Sequence, residues 1–390
     1  MRSLREKIER EIREHGPIPF SRYMQLCLYD PELGYYSRHA EQFGKAGDFY
    51  TSSDVHAVFG RLLARQFVQM WRALGSPSQI EILELGPGRG LFARDVLDWS
   101  EKKFPDFFRA LHYMLVESSS ALRQRLRTTL SNHIASEKAK LAPCSSASSI
   151  ASEPVLQHIP TIARSLSSHI PLLIFANEFF DALPVEIVAT HGSLRFDLRD
   201  RHLAETWVPA SQRELEFLDR YGVHPEPGER IEVPLLACDY MAAAAQLISH
   251  GFLIAIDYGY TRDEQLAGRH RGTLSAFRQH TMTANPYQAP GEQDITAHVN
   301  FTALAAAAAA QGMTVQKLLT QSQFLMGIGE DNQFSDAFGD CRLPQETAKV
   351  ALQLKHLVTP AGMGESFHVL VASCGVDAEA LTKLDGLRFA

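Results

Sequence analysis

Short apolar runs alternate with longer amphipathic stretches along the central and C-terminal parts of the chain. Such runs are typical of strands buried on both faces, and the stretches between them have the spacing of helices. Five runs are candidate core strands: Ile80–Leu85, Tyr113–Val116, Leu172–Ala176, Phe252–Ile256 and Phe367–Ala372. The alternation predicts an α/β fold in which a mostly parallel sheet is covered by helices on both faces. Ligands on such a sheet bind at the carboxyl ends of the strands.

Three regions do not fit this alternation and are expected to surround the strand ends. Residues 1–75 look helical, carry a glycine-rich loop at 43–53, and predict an N-terminal cap. Short alternating runs within 185–235 predict a small antiparallel insertion. Residues 320–362 look helical and are expected to form a lid, since loops over the strand ends carry function. The remainder of 76–390 would then be one domain that holds the sheet.

The composition is that of an ordinary globular chain and excludes several classes of protein. The 390 residues are 45% hydrophobic with a formal net charge of −7, which argues against a dedicated nucleic-acid binder. No apolar run reaches the roughly 18 residues of a membrane span. The five cysteines form no CxxC pair, so we expect free thiols and no metal site. The segment Met1–Glu14 lacks the features of a targeting peptide, and a cytoplasmic location is predicted.

The strongest local motif is a glycine loop directly after the first candidate strand. It reads Glu-Leu-Gly-Pro-Gly-Arg-Gly from Glu84 to Gly90. The glycines permit a tight turn and let a ligand approach the backbone closely, so a nucleotide-like cofactor is indicated. The dinucleotide fingerprint needs its third glycine three residues after the second, where this chain has Leu91. The spacing instead resembles the S-adenosylmethionine loop of class I methyltransferases.

Polar side chains follow two further candidate strands. Glu117 ends the second strand, where a carboxylate can accept hydrogen bonds from both hydroxyls of a ribose. Asn177, Glu178 and Asp181 follow the strand Leu172–Ala176. Because Glu178 and Asp181 are three residues apart, they would share one face of a helical turn and could grip a cationic substrate group. Alternatively, Asn177 or Asp181 simply caps a turn.

Four segments together resemble the MidA-like family of S-adenosylmethionine-dependent methyltransferases. They are the run Pro19–Tyr36, the loop Gly47–Ser52 with Phe59-Gly60, the glycine loop Glu84–Gly90, and the run Ala176–Pro184. Shorter segments that also resemble this family occur at 257–260, 272–274 and 294–301. The family includes a mitochondrial assembly factor of respiratory complex I that methylates an arginine of a complex I subunit. The segments 118–170 and 190–235 match weakly, so no roles are carried over there.

The resemblance implies a class I methyltransferase fold, S-adenosyl-L-methionine as cofactor, S-adenosyl-L-homocysteine as product, and a protein arginine as methyl acceptor. A respiratory complex I subunit is then a candidate partner, and a homodimer is a candidate assembly. Carried onto this chain, the cofactor would be held by Gly47, Asp48, Thr51, Glu84, Gly86, Pro87, Gly88, Gly90, Glu117, Asn177 and Glu178. The segment Gly47–Ser52 would close over the cofactor, or would form a glycine turn without ligand contact.

Methyl transfer to an arginine calls for carboxylates rather than for a strong base. The pKa of the guanidinium lies above about 12, so carboxylates can clamp it, align one nitrogen and offset its charge. We expect Glu178, and after it Asp181, to form that clamp, with Asp294 as a weaker candidate. His298 could accept the released proton, although a lone histidine is more often structural.

Several alternatives stay open on the sequence alone. The residues are also compatible with a methyltransferase for another small or macromolecular substrate, and with a non-catalytic assembly protein that keeps the fold. The intact glycine loop favours catalysis, and its spacing disfavours a nicotinamide dehydrogenase. The aromatic run from Tyr29 to Tyr36 could wall the site or be a packed turn. Asp257-Tyr258 could line the substrate side or merely end a strand.

Overall fold

The computed structural model describes residues 3–37, 57–143, 158–166, 169–200, 202–265, 272–278, 281–283 and 286–390. Its helices are α1 (Leu4–His15), α2 (Phe20–Tyr29), α3 (Val58–Ala73), α4 (Leu91–Lys103), α5 (Pro105–Ala110), α6 (Ser120–Thr129), α7 (Ser131–Ala135), α8 (His158–Ser165), α9 (Gln212–Arg220), α10 (Leu235–Gln246), α11 (Phe301–Ala309), α12 (Gln321–Glu330), α13 (Ser335–Phe338), α14 (Pro344–Val358) and α15 (Ala378–Leu381), with 3-10 turns at Tyr35–Ser37 and Asp385–Leu387.

The strands follow the same chain order. They are β1 (Ile18–Pro19), β2 (Ile80–Leu85), β3 (Leu111–Val116), β4 (Ala139–Leu141), β5 (Leu172–Asn177), β6 (Glu186–Ala189), β7 (Gly192–Arg199), β8 (His202–Val208), β9 (Ile231–Val233), β10 (Gly251–Tyr260), β11 (Ser275–Arg278), β12 (Thr281–Thr283), β13 (Asp294–Thr296), β14 (Val299–Asn300), β15 (Thr314–Val315), β16 (Leu319–Thr320) and β17 (Phe367–Cys374).

The central sheet has the strand order β15-β17-β10-β5-β2-β3-β4. Its strands β2, β3, β4, β5 and β10 are parallel, whereas β17 runs antiparallel to β10. The short β15 and β16 pair with the far edge of β17, and β14 pairs with the end of β10. All five candidate core strands occur where the apolar runs predict them. The mostly parallel α/β sheet is therefore confirmed.

Successive side chains of each core strand enter opposite hydrophobic layers. On β2, Ile80 and Ile82 pack with residues of α3 and α4, whereas Leu83 and Leu85 pack with residues of α10 and α11. Full burial of such a side chain contributes about 1.5–3 kcal/mol, so both faces stabilise the strand. This two-sided burial explains why the core strands appear in the sequence as apolar runs rather than as a strict apolar–polar alternation.

The N-terminal helices share a hydrophobic layer with the antiparallel strands of residues 185–235. β1 pairs with β7, which also pairs with β6 and β8, and β9 completes the five-stranded sheet. Ile8, Phe20 and Phe196 lie in this layer. The sequence suggests only helices for this N-terminal part, because a two-residue strand leaves no periodicity to recognise. Through α2, this layer fixes the turn at Tyr35–Ser37, which follows it.

Helices α12 to α14 pack with α3 and α4 on one face of the central sheet. The indole Nε1 of Trp99 donates a 2.9 Å hydrogen bond to Asp336, and the Arg61 guanidinium lies 4.5 Å from the Trp99 ring centroid. Leu325 and Ile328 join the same hydrophobic layer. The lid role of residues 320–362 stays a prediction. Among the described helices, none combines the length and the apolar character needed to cross a bilayer.

Candidate active site

The glycine loop connects β2 to α4 at the carboxyl edge of the sheet. Gly86, Gly88 and Gly90 have φ angles of 64°, 52° and 76°, in the left-handed region that side chains rarely adopt. A Cβ at Gly86 would lie 2.8 Å from the Phe179 ring, and one at Gly90 would lie 2.6 Å from Leu126. A Cβ at Gly88 would meet no atom within 4 Å. The loop is therefore tightly packed at its two ends and open at its centre.

Pro87 and Gly88 lie just before the N-terminus of α4, which begins at Leu91 after a Gly90 cap. Free backbone amides at a helix N-terminus favour a negatively charged or strongly polar group. The open position at Gly88 leaves room for a ligand to approach the backbone there. The structure thus brings three glycines and a helix start together, as the motif predicts.

Glu84 is buried within the sheet, four positions before the open glycine. Its carboxyl accepts a 2.8 Å hydrogen bond from the Tyr113 hydroxyl of β3, and burial raises the pKa of Glu84 to about 8. At neutral pH this carboxyl is therefore largely protonated. The structure accounts for Glu84 as a buried partner of Tyr113, and its role in cofactor binding stays a prediction.

Glu117 follows β3 and meets the glycine loop. Its carboxylate accepts a 2.8 Å hydrogen bond from the Ser119 backbone amide, and the backbone amides of Ser118 and Gly88 also stabilise its charge. Burial is the larger effect and raises the pKa of Glu117 to about 7. The structure therefore brings together the two features, glycine loop and strand-end acid, that sequence reasoning assigned to one cofactor.

Asn177 and Glu178 end β5 next to this loop. The Asn177 side-chain amide donates to a Glu178 carboxylate oxygen at 3.1 Å, while the Asn177 side-chain oxygen is buried and has no hydrogen-bond partner in the part of the chain that the structure describes. Glu178 has φ +49°, which costs a non-glycine residue about 1 kcal/mol or more. A strained backbone and an unsatisfied acceptor at one strand end are typical of a functional site.

Asp257 holds the segment that follows Glu178. One of its carboxylate oxygens accepts hydrogen bonds from three consecutive backbone amides, those of Phe179, Phe180 and Asp181, at 3.2, 3.0 and 3.3 Å. The other oxygen accepts from the Tyr258 amide at 3.0 Å. Asp257 is fully buried, and burial together with the nearby charges of Asp181 and Glu178 raises its pKa well above the ordinary value.

Sequence reasoning missed this role of Asp257, although it noted the residue. An acid that interrupts an apolar run can end a strand, but β10 continues to Tyr260 and keeps Asp257 inside the sheet. The register pairs the preceding residue, Ile256, with Asn177. An acid at the carboxyl end of the neighbouring strand is the one indication that the sequence offers.

Asp181 is the acid with the clearest capacity for a ligand. Its side chain is 5% exposed, and the Tyr258 hydroxyl donates to one carboxylate oxygen at 2.6 Å. The second oxygen is buried and has no hydrogen-bond partner among the described residues. Burial raises the pKa of Asp181 to about 6, and the Tyr258 hydrogen bond and the nearby backbone amides of Ala182 and Asp181 oppose that rise. A carboxylate with one unsatisfied buried oxygen is suited to accept an N–H group from a ligand.

His298 lies on the exposed side of Tyr258. The two rings meet edge to face with centroids 5.1 Å apart, and the His298 backbone amide donates to the Thr273 hydroxyl at 3.0 Å. The imidazole is exposed. The structure thus brings His298 next to the Tyr258–Asp181 pair, and its role as proton acceptor stays a prediction.

The aromatic turn after α2 forms a wall that touches both halves of the site. The Tyr29 hydroxyl donates to the Ala182 carbonyl at 2.9 Å. The Tyr36 hydroxyl donates to Asp294 at 2.9 Å, and the Tyr36 carbonyl accepts from the Ser119 hydroxyl at 2.6 Å. The run is therefore a packed turn that contacts residues of the candidate site, and its role as a wall for a ligand stays a prediction. Gly47, Asp48 and Thr51 lie outside the described residues.

A family model described as "Putative S-adenosyl-L-methionine-dependent methyltransferase" matches residues 62–319. The match spans the glycine loop, Glu117, the β5 strand end and Asp294. The chain belongs to this family of methyltransferases. Their cofactor fits the site, because the open position at Gly88, the Glu117 carboxylate and the unpartnered Asn177 oxygen lie along one edge of the sheet. Nicotinamide chemistry, already disfavoured by the glycine spacing, finds no support.

Similar proteins place this methyltransferase within the MidA-like family. The chain is 30% identical to the mitochondrial "Protein arginine methyltransferase NDUFAF7 homolog" of Drosophila melanogaster over 99% of its own length and 88% of that protein. It is 28% identical to the NDUFAF7 protein of Danio rerio over 94% and 86% of the two chains. A Burkholderia thailandensis structure with bound S-adenosyl-homocysteine has a TM-score of 0.81, 26% identity, and coverage of 98% and 94%. The class I methyltransferase fold is therefore confirmed.

These relatives also correct one prediction. The Drosophila, zebrafish and mouse proteins are all named mitochondrial. The cytoplasmic location predicted for this methyltransferase is therefore wrong. The prediction relied on the mixed charges of the first residues, and charge pattern at one end of a chain is a weak guide to compartment.

Proposed function

We propose that the methyltransferase transfers methyl groups to an arginine side chain of a protein. The observation that carries the proposal is the buried, unpartnered carboxylate oxygen of Asp181, held beside the end of β5. A cationic, planar group with several N–H donors satisfies such an oxygen best, and the guanidinium of arginine has five. The relatives named as protein arginine methyltransferases support the same acceptor.

The acids around Asp181 favour a cation over a neutral acceptor. Asp181, Asp257 and Glu178 lie close enough that the charges of Asp181 and Glu178 raise the pKa of Asp257. Among the described residues, the largest causes that shift the pKa of Asp181 and of Asp257 include no lysine or arginine. Within the described residues, no group of three or more histidine, cysteine or acidic side chains could hold a metal ion. A guanidinium from the substrate would offset the negative charge of this cluster.

The chain's own residues would act mainly by positioning. When bound, S-adenosyl-L-methionine supplies a methyl group on a sulfonium, which is a good leaving group. Glu117 and the glycine loop would hold the cofactor, and Glu178 and Asp181 would align the guanidinium nitrogen. Asp257 fixes the backbone that carries both acids, and Tyr258 fixes the Asp181 carboxylate. Burial around Asp181 excludes water from the acceptor side.

The finer identity of the partner rests on the family resemblance. We propose a subunit of respiratory complex I as the protein that presents the arginine, in line with the complex I assembly factor of this family. A homodimer stays a prediction that no described contact tests. The second candidate function is methyl transfer to another substrate, because the Asp181 carboxylate oxygen that lacks a partner among the described residues would accept any buried N–H donor.

Mass spectrometry of methylated arginines in cells with and without the protein tests the acceptor. We expect at least one peptide to lose its methylarginine when the protein is absent and to regain it when the protein is restored. An Asp181→Asn variant that binds the cofactor normally should fail to restore it. An unchanged arginine profile, together with a missing methylated metabolite, would contradict the proposal and favour another substrate.

A further inference from the structure

Two buried carboxylates on the acceptor side are each oriented by a tyrosine hydroxyl. Tyr258 donates to Asp181 at 2.6 Å, and Tyr36 donates to Asp294 at 2.9 Å. Both acids are 5% exposed. The two tyrosines come from distant parts of the chain, one from the core strand β10 and one from the turn after α2. A hydroxyl donor on one oxygen fixes a carboxylate's rotation and so directs the acceptor lone pairs of both acids.

The two carboxylates are held near each other by the backbone. The backbone amide of Ala297, directly after β13, donates a hydrogen bond to the backbone carbonyl of Asp181 at 2.9 Å. This bond holds the end of the strand that carries Asp294 next to Asp181. The Tyr29 hydroxyl lies among these groups, since the charges of Asp181 and Asp294 both raise the pKa of Tyr29. The Tyr29 and Tyr36 rings are in contact, with centroids 5.5 Å apart.

Glu178 is less suited than Asp294 to be the partner of Asp181. Glu178 is partly exposed, and one of its carboxylate oxygens accepts a hydrogen bond from the neighbouring Asn177 amide. Its backbone follows β5 directly, at the strand end that also carries Asn177. Asp294 instead lies in a separate strand, and its carboxylate is fixed by a residue from outside the core sheet.

We propose that Asp294 is the second carboxylate that contacts the guanidinium, and that Tyr36 is the positioning residue that holds it. The inference rests on the proposed arginine acceptor and deepens it. Asp181 and Asp294 would bind different nitrogens of one guanidinium, which fixes its plane and leaves one nitrogen directed at the methyl donor. This assignment revises the clamp of Glu178 and Asp181, and Glu178 would act instead beside Asn177 at the cofactor.

Tyr36 also connects this acceptor pair to the cofactor side. The Ser119 hydroxyl donates to the Tyr36 carbonyl at 2.6 Å, and the Ser119 amide donates to Glu117 at 2.8 Å. One residue therefore links the strand end expected to hold the ribose to the carboxylate expected to hold the substrate. Removal of the Tyr36 hydroxyl should leave the Ser119 contact and the cofactor site intact.

The test compares Tyr36→Phe and Asp294→Asn with Tyr23→Phe as a matched control. The Tyr23 hydroxyl is also buried and donates to the Pro286 carbonyl at 3.0 Å, so the control removes a similar hydrogen bond away from the acids. The assay follows transfer of a labelled methyl group to arginines in protein extract from cells that lack the enzyme. Calorimetric titration with S-adenosyl-homocysteine measures cofactor binding separately.

We expect Asp294→Asn and Tyr36→Phe each to lower transfer per unit of extract by about tenfold or more, with S-adenosyl-homocysteine affinity within about twofold of the unmodified chain. A higher extract concentration should restore a larger fraction of the lost methyl transfer in Tyr36→Phe than in Asp294→Asn. The double variant should be no worse than Asp294→Asn alone, because Tyr36 acts through Asp294. Tyr23→Phe should match the unmodified chain.

Three outcomes overturn the inference. They are normal transfer by Asp294→Asn, fully additive losses in the double variant, or equal losses in Tyr23→Phe. Failure of the unmodified chain to methylate any arginine would instead reject the proposed function, so the two failures are distinguishable. Thermal unfolding of all five proteins, the unmodified chain and its four variants, separates a loss of folded protein from a loss of positioning.

Discussion

The Tyr258 hydroxyl donates a 2.6 Å hydrogen bond to the carboxylate of Asp181, whose other oxygen is buried without a partner. This pair joins the two strands that frame the acceptor side, since Asp181 follows β5 and Tyr258 belongs to β10. The hydrogen bond favours the ionised form of Asp181 against a burial that disfavours it. Its removal therefore has a consequence for the pH dependence of transfer.

Tyr258→Phe should move the acid limb of the pH–rate profile to higher pH. The variant loses the donor that lowers the pKa of Asp181, so the carboxylate ionises later as the pH rises. Transfer at pH 7 should fall by about tenfold, with partial recovery at pH 8 to 9. Methyl transfer measured from pH 5 to 9 checks this, with Tyr23→Phe as control. An unshifted acid limb would show that Asp181 does not need to be ionised.

Gly88→Ala should weaken S-adenosyl-homocysteine binding by about tenfold or more, because the new Cβ projects into the open centre of the loop. Gly75→Ala is the matched control. It also has a positive φ and no atom within 4 Å of the added Cβ, but it precedes β2, at the opposite end of the strand. Both variants should lose about 1–2 kcal/mol of stability from the same backbone strain. Equal cofactor affinity in the two variants would disprove a cofactor contact at Gly88.

Cofactor affinity should rise with pH through about 7, where Glu117 ionises. The ionised carboxylate is the stronger acceptor for ribose hydroxyls, and protonation removes acceptor capacity. Glu117→Gln should bind S-adenosyl-homocysteine more weakly and without this pH dependence. Calorimetric titrations at pH 6, 7 and 8 measure both effects. An equally pH-dependent affinity in Glu117→Gln would assign the titration to another group.

Glu84→Gln should make the fold more stable at alkaline pH. The pKa of Glu84 in the folded protein, about 8, lies above its ordinary value of 4.5. The stability that the protonated carboxyl contributes is therefore fully present below pH 4.5 and is lost as the pH rises towards 8. Each unit of that shift corresponds to about 1.4 kcal/mol. Urea unfolding of both proteins at pH 5 and 8.5 should show a difference that grows with pH. A constant difference would contradict the buried, protonated Glu84.

The same variant tests the cofactor role that the sequence motif assigns to Glu84. Glutamine can still accept the Tyr113 hydrogen bond, so the sheet should remain intact. If Glu84 serves only the sheet, S-adenosyl-homocysteine affinity should stay within about twofold of the unmodified chain. A large loss of affinity with normal stability would restore the role predicted from the motif.

The residues that follow local rules could be predicted from the sequence. The core strands are apolar because both of their faces are buried. The glycine loop can be recognised in the sequence because each of its glycines adopts a left-handed conformation that other residues rarely adopt. The positions of Glu117 and Asn177 near the glycine loop could be predicted because parallel strands present their carboxyl ends at one edge of the sheet. Each of these inferences needs only a segment of the chain and its immediate neighbours.

The roles of Asp257 and Tyr36 could not be predicted because their partners are distant along the chain. Asp257 and the Phe179 amide are 78 residues apart, and Tyr36 and Asp294 are 258 residues apart. No periodicity or spacing encodes such pairs, which depend on strand order and on the docking of α2. The hydrophobic layer shared by α1, α2 and residues 185–235 could not be predicted for the same reason.

Transfer of a deuterated methyl group by the purified chain tests the central claim most directly. The chain is incubated with labelled S-adenosyl-L-methionine and protein extract from cells that lack it, and the peptides are analysed by mass spectrometry. The account predicts labelled methylarginine with the unmodified chain and none above background with Asp181→Asn, although both bind S-adenosyl-homocysteine. Label on another residue type or on a small molecule, or full activity in Asp181→Asn, would contradict it.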